Sequence, residues 1–367
     1  MELVVRKSDL LKELALLQGI VERKNTIPIL ANVLLEAGKD QVSLLATDLD
    51  VGLRSRTAAS VVKPGILTLP AKKLFEIVSA LPETEIRITE EKGGKSVTIA
   101  ADRFESRMQT LPASEFPTPP DASGLTFTAL PGNALKRMIT HTRFAITSED
   151  TRYFLNGAQL VLEPDSMSMV ATDGHRLAFV RVAAELGGSK SDVLLPRKTL
   201  NEVARLIEDD GTIEFAQGEN HLFFRAGDRL LISRKIDANF PAYERVIPKS
   251  NDKRIDFDRT RLASAVKRVR LLSNERSKAV KFAMGTDQVE ITSSTPELGE
   301  AHEILPVDYN AAAMQICFNA DYVDNFLGVV ETDQVQLEFK DEMSQAVMKP
   351  VGAEGYEYTY VIMPMRV

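Results

Sequence analysis

The sequence predicts an α+β protein built from three repeated modules, each with two helices packed on antiparallel sheet. Three observations carry this. Short motifs recur in the same order at a period near 125 residues, a helix-period apolar pattern opens each repeat, and strand-like runs fill the space between helical stretches. The first motif is Ile66-Leu67-Thr68-Leu69-Pro70-Ala71-Lys72-Lys73, repeated as Val193-Leu194-Leu195-Pro196-Arg197-Lys198, with Pro196 lying 126 residues beyond Pro70. A weaker third copy is Ile316-Cys317-Phe318-Asn319-Ala320-Asp321. The second motif, Leu45-Ala46-Thr47-Asp48, returns 125 residues later as Val170-Ala171-Thr172-Asp173 and, without the Asp, as Ile291-Thr292-Ser293-Ser294. The third closes each unit: Phe116-Pro117, Phe240-Pro241 and Met363-Pro364, at intervals of 124 and 123.

The elements follow in order. Leu10, Leu14, Leu17 and Val21 form one helical face; Leu135, Met138, Ile139 and Thr142 form the second; Leu262, Val266, Val269 and Leu272 form the third. A further helix in each module rests on Leu74, Val78 and Leu81, on Leu200, Val203, Ala204 and Ile207, and on Val323, Phe326, Leu327 and Val330. Residues 97–101, 222–225 and 335–339 have strand character. Residues 119–124 and 248–253 are rich in turn formers and polar groups, as linkers are. The expected modules are therefore 1–122, 123–250 and 251–367.

Composition narrows the class. A chain of 367 residues exceeds a single core, and 44% hydrophobic with 26% charged residues excludes wholesale disorder. No run approaches ~18 apolar residues, so no membrane span is expected. Glu2, Arg6, Lys7 and Asp9 stand where a signal peptide would be apolar. Cys317 is the only cysteine, so no internal disulfide can form and a reducing cytoplasm fits. In its apolar run it reads as a small buried hydrophobe.

A net charge of −7 argues against nucleic acid only if the charge is spread evenly. It is not. The helical segments 6–24, 71–81, 131–147, 196–208 and 258–278 carry +2, +1, +3, +1 and +5, and only 319–331 is negative, at −3. With +9 on these six segments, the remainder of the chain holds −16. One such segment would read as a solvated face. Five of six suggest a basic lining within an acidic body, suited to phosphates by charge and shape and not to base readout. No helix-turn-helix or zinc-finger spacing is present.

Chemistry is sparse. The histidines His141, His175, His221 and His302 form no HExxH or other metal spacing with Cys317, and no phosphate-loop, dinucleotide or nucleophile-elbow motif occurs. In Thr172-Asp173-Gly174-His175-Arg176 an Asp and a His could form an acid–base pair, and Asp48 with Asp50 could begin a carboxylate metal site. The repeat weighs against both, because Asp48 and Asp173 occupy equivalent places, as expected of a turn held by backbone hydrogen bonds. A metal-dependent hydrolase using Asp173 and His175 stays open, as does a repeat scaffold that binds proteins but not DNA.

Several motifs together resemble the bacterial sliding clamps, the beta subunits of DNA polymerase III. They are Thr26-Ile27-Pro28-Ile29-Leu30, Leu69-Pro70-Ala71-Lys72, Arg152-Tyr153-Phe154-Leu155-Asn156-Gly157, Ala171-Thr172-Asp173-Gly174-His175-Arg176-Leu177, Leu272-Ser273-Asn274-Glu275 and Met363-Pro364-Met365-Arg366-Val367. The resemblance spans the whole chain. It implies the DNA clamp fold, with six modules in a homodimeric ring whose twelve helices surround double-stranded DNA without reading its sequence. It implies a non-catalytic cytoplasmic processivity factor with no cofactor and no metal. Short linear peptides of the polymerase III catalytic subunit, the clamp loader, other polymerases and repair proteins would dock on it.

The implied peptide pocket comprises Leu155, Thr172, Gly174, His175, Arg176, Leu177, Pro241, Val246, Asn319, Tyr322, Val361, Met363, Pro364, Met365 and Arg366. An adaptable, methionine-rich surface suits several partners. The residues expected to face DNA are Arg23, Lys24, Lys72, Lys136, Arg137, Arg197, Lys198, Arg205, Lys267 and Arg268. At the implied subunit contact stand Ser106, Met108, Leu271 and Leu272, with Ser106 where the family has an aromatic. Ser277 replaces an aromatic of the pocket wall in some relatives, and Glu149 replaces a polar residue that touches DNA in some.

Overall fold

The computed structural model describes residues 1–21, 26–147, 149–208 and 211–366. The first repeat forms β1 (Glu2–Arg6), α1 (Lys7–Leu17), β2 (Asn32–Gly38), β3 (Gln41–Thr47), β4 (Val51–Ala58), β5 (Ser60–Lys63), β6 (Gly65–Pro70), α2 (Ala71–Ala80), β7 (Glu85–Glu90), β8 (Ser96–Ala101) and β9 (Phe104–Gln109). The second forms β10 (Thr128–Pro131), α3 (Gly132–Thr142), β11 (Gly157–Glu163), β12 (Ser166–Thr172), β13 (Arg176–Ala183), β14 (Ser191–Pro196), α4 (Arg197–Leu206), β15 (Thr212–Gln217), β16 (His221–Ala226) and β17 (Arg229–Arg234). The third forms β18 (Lys253–Asp258), α5 (Arg259–Val269), β19 (Ala279–Gly285), β20 (Gln288–Thr295), β21 (Gly299–Pro306), β22 (Met314–Asn319), α6 (Ala320–Leu327), β23 (Gln334–Phe339), β24 (Ala346–Val351) and β25 (Glu357–Ile362). The same succession of strands and helices thus occurs three times, with β5 an extra strand in the first.

The repeats do not coincide with the compact units of the chain, which are Met1–Lys136 with Lys198–Lys235, and Arg137–Arg197 with Ile236–Val367. Each unit holds an eight-stranded antiparallel sheet sewn from two repeats. In the first the order is β10-β15-β16-β17-β4-β3-β2-β6, and in the second β14-β11-β12-β13-β25-β24-β23-β18. The seams are ordinary ladders: Leu231 faces Leu53, and Leu177 faces Val361. A seam strand satisfies its backbone groups on both sides, so neither edge is left to pair elsewhere. The first unit adds the sheet β5-β1-β7-β8-β9 and the second adds β21-β20-β19-β22.

Helices close over these sheets by their apolar faces. Leu10, Leu14 and Leu17 of α1 are completely buried, as are Leu262 and Val266 of α5. At about 1.5–3 kcal/mol per buried aliphatic side chain, this face dominates the stability of each helix. The helices stop earlier than the apolar spacing suggests. Val21, Leu81, Ile207 and Val330 lie just past their helices, and Leu272 lies in the 3-10 turn Arg270–Leu272. At three of these ends the pattern runs on because the chain remains against the same core, as the 8% exposure of Leu81, 6% of Ile207 and 3% of Val330 indicate. Asp258 caps α5 by accepting from the Arg261 N–H at 2.8 Å, and Asn319 caps α6 by accepting from Asp321 at 2.9 Å, each about 1 kcal/mol. In the first unit Arg229 of β17 grips Glu13 of α1 through two hydrogen bonds of 2.9 and 2.7 Å, tying the second repeat to the first.

Candidate functional site

The Thr172–Arg176 turn joins β12 to β13, and side-chain hydrogen bonds build it. The Thr172 hydroxyl donates to the Arg176 carbonyl at 2.6 Å and accepts from the Gly174 N–H at 3.1 Å. Asp173 Oδ1 accepts from the N–H groups of His175 at 2.9 Å and Arg176 at 3.1 Å, and its Oδ2 accepts from Arg176 Nε at 3.0 Å. Gly174 sits at φ 89°, the left-handed region that favours glycine. Asp173 is therefore fully engaged as an acceptor, which argues for the turn-holding role and against a hydrolase. Among the described residues, no three His, Cys, Asp or Glu side chains gather as a metal site.

Arg176 is the hub of the second unit. Besides Asp173 it donates to the Phe144 carbonyl at 2.5 Å and to Asn325 Oδ1 at 2.7 Å, and its guanidinium lies 4.2 Å from the Tyr322 ring centre. Its side chain is only 10% exposed. It shapes the turn from beneath, so it braces the candidate pocket more than it lines it. Tyr322 is fixed in turn, its carbonyl accepting from the Tyr360 hydroxyl at 3.0 Å.

The C-terminal segment is seated on this turn. The Met363 N–H donates to the His175 carbonyl at 3.0 Å, continuing the β13–β25 ladder, and the Met365 N–H donates to the Cys317 carbonyl at 2.8 Å. Leu177 and Val361 form an apolar cluster with Val170 and Val347, against which Phe179, Phe240, Tyr243 and Ile247 pack. Met363, Pro364, Met365 and Arg366 line a hollow of about 180 Å³ with Met343 and Gln345. Met365 and Arg366 also border a larger one of about 610 Å³, beside Asn274, Ser277, Lys281 and Cys317.

Most of the expected pocket residues thus gather around the turn and the tail. Leu155 lies buried at the end of the 3-10 turn Asp150–Leu155, while Pro241 and Val246 lie exposed between β17 and β18. Asn319 serves as the α6 cap. Val347, Met343 and Gln345 escaped sequence reasoning, because β24 carries no repeated motif and only the β23–β24 turn brings these residues to the tail. Cys317 corrects an expectation. It is half-exposed, not core, because β22 is an edge strand and the neighbours Ile316 and Phe318 take the buried face. Partial burial raises its thiol pKa, with Lys281 opposing.

The basic residues are more engaged than their sequence suggests. Arg23 and Lys24 lie outside the described residues. Arg205 donates to Glu202 at 2.9 Å and to the Ala15 carbonyl at 2.6 Å. Lys198 binds Asp48 and the Ile20 carbonyl, and Arg197 binds the Ile146 carbonyl. Arg268 holds Glu303 through two bonds of 2.8 and 2.5 Å, and Arg137 lies 4.8 Å from the Tyr356 ring centre. Lys136 lies on α3. Lys72 (3.9 Å from Glu76) and Lys267 project from α2 and α5 as exposed cations. Glu149 reaches Arg152 at 3.4 Å. Ser106 is half-buried on β9, Met108 is buried, Leu272 is half-buried, and Leu271 is 74% exposed.

Three family models cover the chain: the DNA polymerase III beta subunit N-terminal domain over residues 1–120, its central domain over 129–242 and its C-terminal domain over 244–366. The chain is 37% identical over 372 residues to a beta sliding clamp of Pseudomonas putida and 34% identical over 369 residues to that of Escherichia coli K12, each match covering both chains completely. Among solved structures it is similar to the DNA polymerase III subunit beta of Pseudomonas aeruginosa (TM-score 0.93, 35% identity, all of both chains). It is equally similar to a P. aeruginosa DnaN sliding clamp bound to griselimycin (TM-score 0.93, 36% identity, all of both chains).

Proposed function

The chain belongs to the DNA polymerase III beta subunit family, and from that premise we propose how its surfaces do the family's work. It is a sliding clamp, a non-catalytic processivity factor for DNA polymerase III in DNA replication. Two copies close around duplex DNA in the cytoplasm, each contributing modules 1–122, 123–250 and 251–367. Retention by enclosure needs little equilibrium affinity, so a net charge of −7 is no obstacle. Sliding needs weak, exchangeable phosphate contacts, which exposed lysines such as Lys72 and Lys267 supply. Arg197, Lys198, Arg205 and Arg268 are held by partners within the chain and serve first to shape the surface.

Partner proteins dock by short extended peptides on the surface formed by the Thr172–Leu177 turn, the neighbouring apolar cluster and the residues from Met363 to Arg366. One observation carries this assignment: the Met363–His175 backbone bond seats a methionine-rich tail against a turn that Arg176 stiffens from beneath. A preorganised floor with an adaptable rim suits several unrelated peptides. The polymerase III catalytic subunit and the clamp loader are the first such partners.

The decisive test is retention on a nicked circular DNA after loading with a clamp loader and ATP. Protein that survives high salt on the circle and leaves once the DNA is cut to a linear form is held by topology. Protein lost from both forms in salt is bound by charge alone, and enclosure would be wrong.

A further inference from the structure

We infer that the larger hollow, over Thr292, Lys281 and Cys317, receives an aromatic side chain of a partner's peptide. The inference rests on the peptide-docking reading above and concerns ground beyond the surface assigned there. The repeats themselves show what fits. In each, one ladder row crosses three strands: Thr68–Leu34–Leu45 in β6, β2 and β3, then Leu194–Gln159–Val170 in β14, β11 and β12. The third row is Cys317–Lys281–Thr292 in β22, β19 and β20. The chain leaving each repeat's last strand crosses the first member of its row. Leu111 N–H donates to Thr68 Oγ1 at 3.2 Å, Ile236 N–H to the Leu194 carbonyl at 3.4 Å, and Met365 N–H to the Cys317 carbonyl at 2.8 Å.

What covers each row differs. Five residues beyond Leu111, Phe116 is buried in one cluster with Leu45, and four beyond Ile236, Phe240 packs on the cluster that holds Val170. A phenylalanine of the chain thus seals the row in the first two repeats. Over the third row lies the hollow of about 610 Å³, and no aromatic side chain lines it. Its floor suits a ring better than an aliphatic group. Lys281 makes no hydrogen bond or ion pair with a described residue. An ammonium is attracted to an aromatic face, whereas an aliphatic side chain would only strip it of water. Met343 and Met365 border the same hollow, and thioether sulfur packs favourably against ring edges. Met365 and Arg366 also border the smaller hollow beside Met363 and Pro364, so the two share a rim. A peptide lying on the Thr172–Leu177 turn reaches the third row across that rim.

Fluorescence anisotropy on the full chain tests this, with thermal unfolding as a check on each variant. The probe is the clamp-binding peptide of the polymerase III catalytic subunit, extended at either end by Phe or by Ala through glycine spacers of graded length. One Phe extension is expected to bind about 5-fold tighter than its Ala counterpart. In Thr292→Phe, whose own ring occupies the floor, that ratio should fall to about 1, and in Lys281→Ala to about 2. The Ala-extended peptide should bind all three chains alike. Equal affinity for Phe and Ala extensions, or a gain that survives Thr292→Phe, would overturn the inference while leaving the peptide site standing. Failure of either peptide to bind would overturn that site as well. Association of peptide-free chains beyond the dimer, abolished by Thr292→Phe, would give the hollow to another copy and overturn the assignment too.

Discussion

Two turns, one in each unit, are built on the same plan and do different things. In the first unit the Thr47 hydroxyl donates to the Val51 carbonyl at 3.1 Å and accepts from Leu49 at 3.0 Å, while Asp48 Oδ1 accepts from Asp50 at 2.9 Å and Val51 at 2.6 Å. Each of these bonds has its counterpart in Thr172–Arg176. Even the strand that follows is anchored alike: Arg234 N–H donates to the Asp50 carbonyl at 2.8 Å, as Met363 does to His175. The contrast lies in what comes next. After Arg234 the chain continues into the next repeat, whereas Met363 to Arg366 line a hollow. The second carboxylate oxygen differs too, since Asp48 holds Lys198 of α4 whereas Asp173 holds Arg176 in its own turn. One repeated device thus closes a seam in the first unit and, in the second, underlies the proposed peptide surface.

The sharpest way to break this comparison is to remove residues 363–367. Peptide binding followed by fluorescence anisotropy should be lost, by at least ~100-fold in affinity, with dimerisation unchanged. Equal affinity in the truncated chain would refute the pocket assignment.

Substituting the two aspartates comes next. Asp173→Ala leaves Arg176 buried without its carboxylate and two turn N–H groups without an acceptor, so a loss of about 3 kcal/mol in denaturant unfolding and weaker peptide binding are expected. Asp48→Ala should cost less, because the Lys198 side chain is 31% exposed and can reach water, and it should spare peptide binding. If both variants weakened the peptide equally, the two turns would not have separate duties.

The left-handed position gives a smaller, signed test. Leu49 sits at φ 83° where its counterpart Gly174 sits at 89°. Gly174→Ala should cost about 1–2 kcal/mol, since its new Cβ would also meet Arg152 Nη1 at 2.8 Å. Leu49→Gly should be neutral or raise the melting temperature slightly, as relief of strain offsets the added freedom of the unfolded chain. A lowered melting temperature would show that Leu49 contributes packing that its 50% exposure hides.

The smallest effect is on pH. His141 is 2% exposed, edge-on to Tyr358 and Tyr356, with Arg137 and Glu331 nearby, and burial lowers its pKa. The native state therefore holds it neutral. Stability from this group is complete above the ordinary value near 6.5 and declines as pH falls below it, by at most about 1.4 kcal/mol at pH 5.5. His141→Phe should flatten that part of the profile, read in unfolding curves at pH 5.5 and 7.5. An unchanged slope would mean that other groups control it.

Much of this was legible in sequence because it depends on local chemistry. A Thr-Asp pair followed by a residue with positive φ specifies its turn through bonds spanning two to four residues, so Asp48 and Asp173 could be assigned to turns before any fold was known. The 125-residue period announced three modules, and apolar spacing announced each of their helices, because both rest on burial of one face. Tertiary structure alone decided how the repeats share their sheets, since strand pairing between β17 and β4 or β13 and β25 joins residues far apart in the chain. It alone revealed that Lys198, Arg205 and Arg268 are already paired, because a charge count carries no distances. It also brought Met343 and Gln345 to the tail and left Cys317 half-exposed. Periodicity records which face is apolar, and only packing determines which edge is covered and by what.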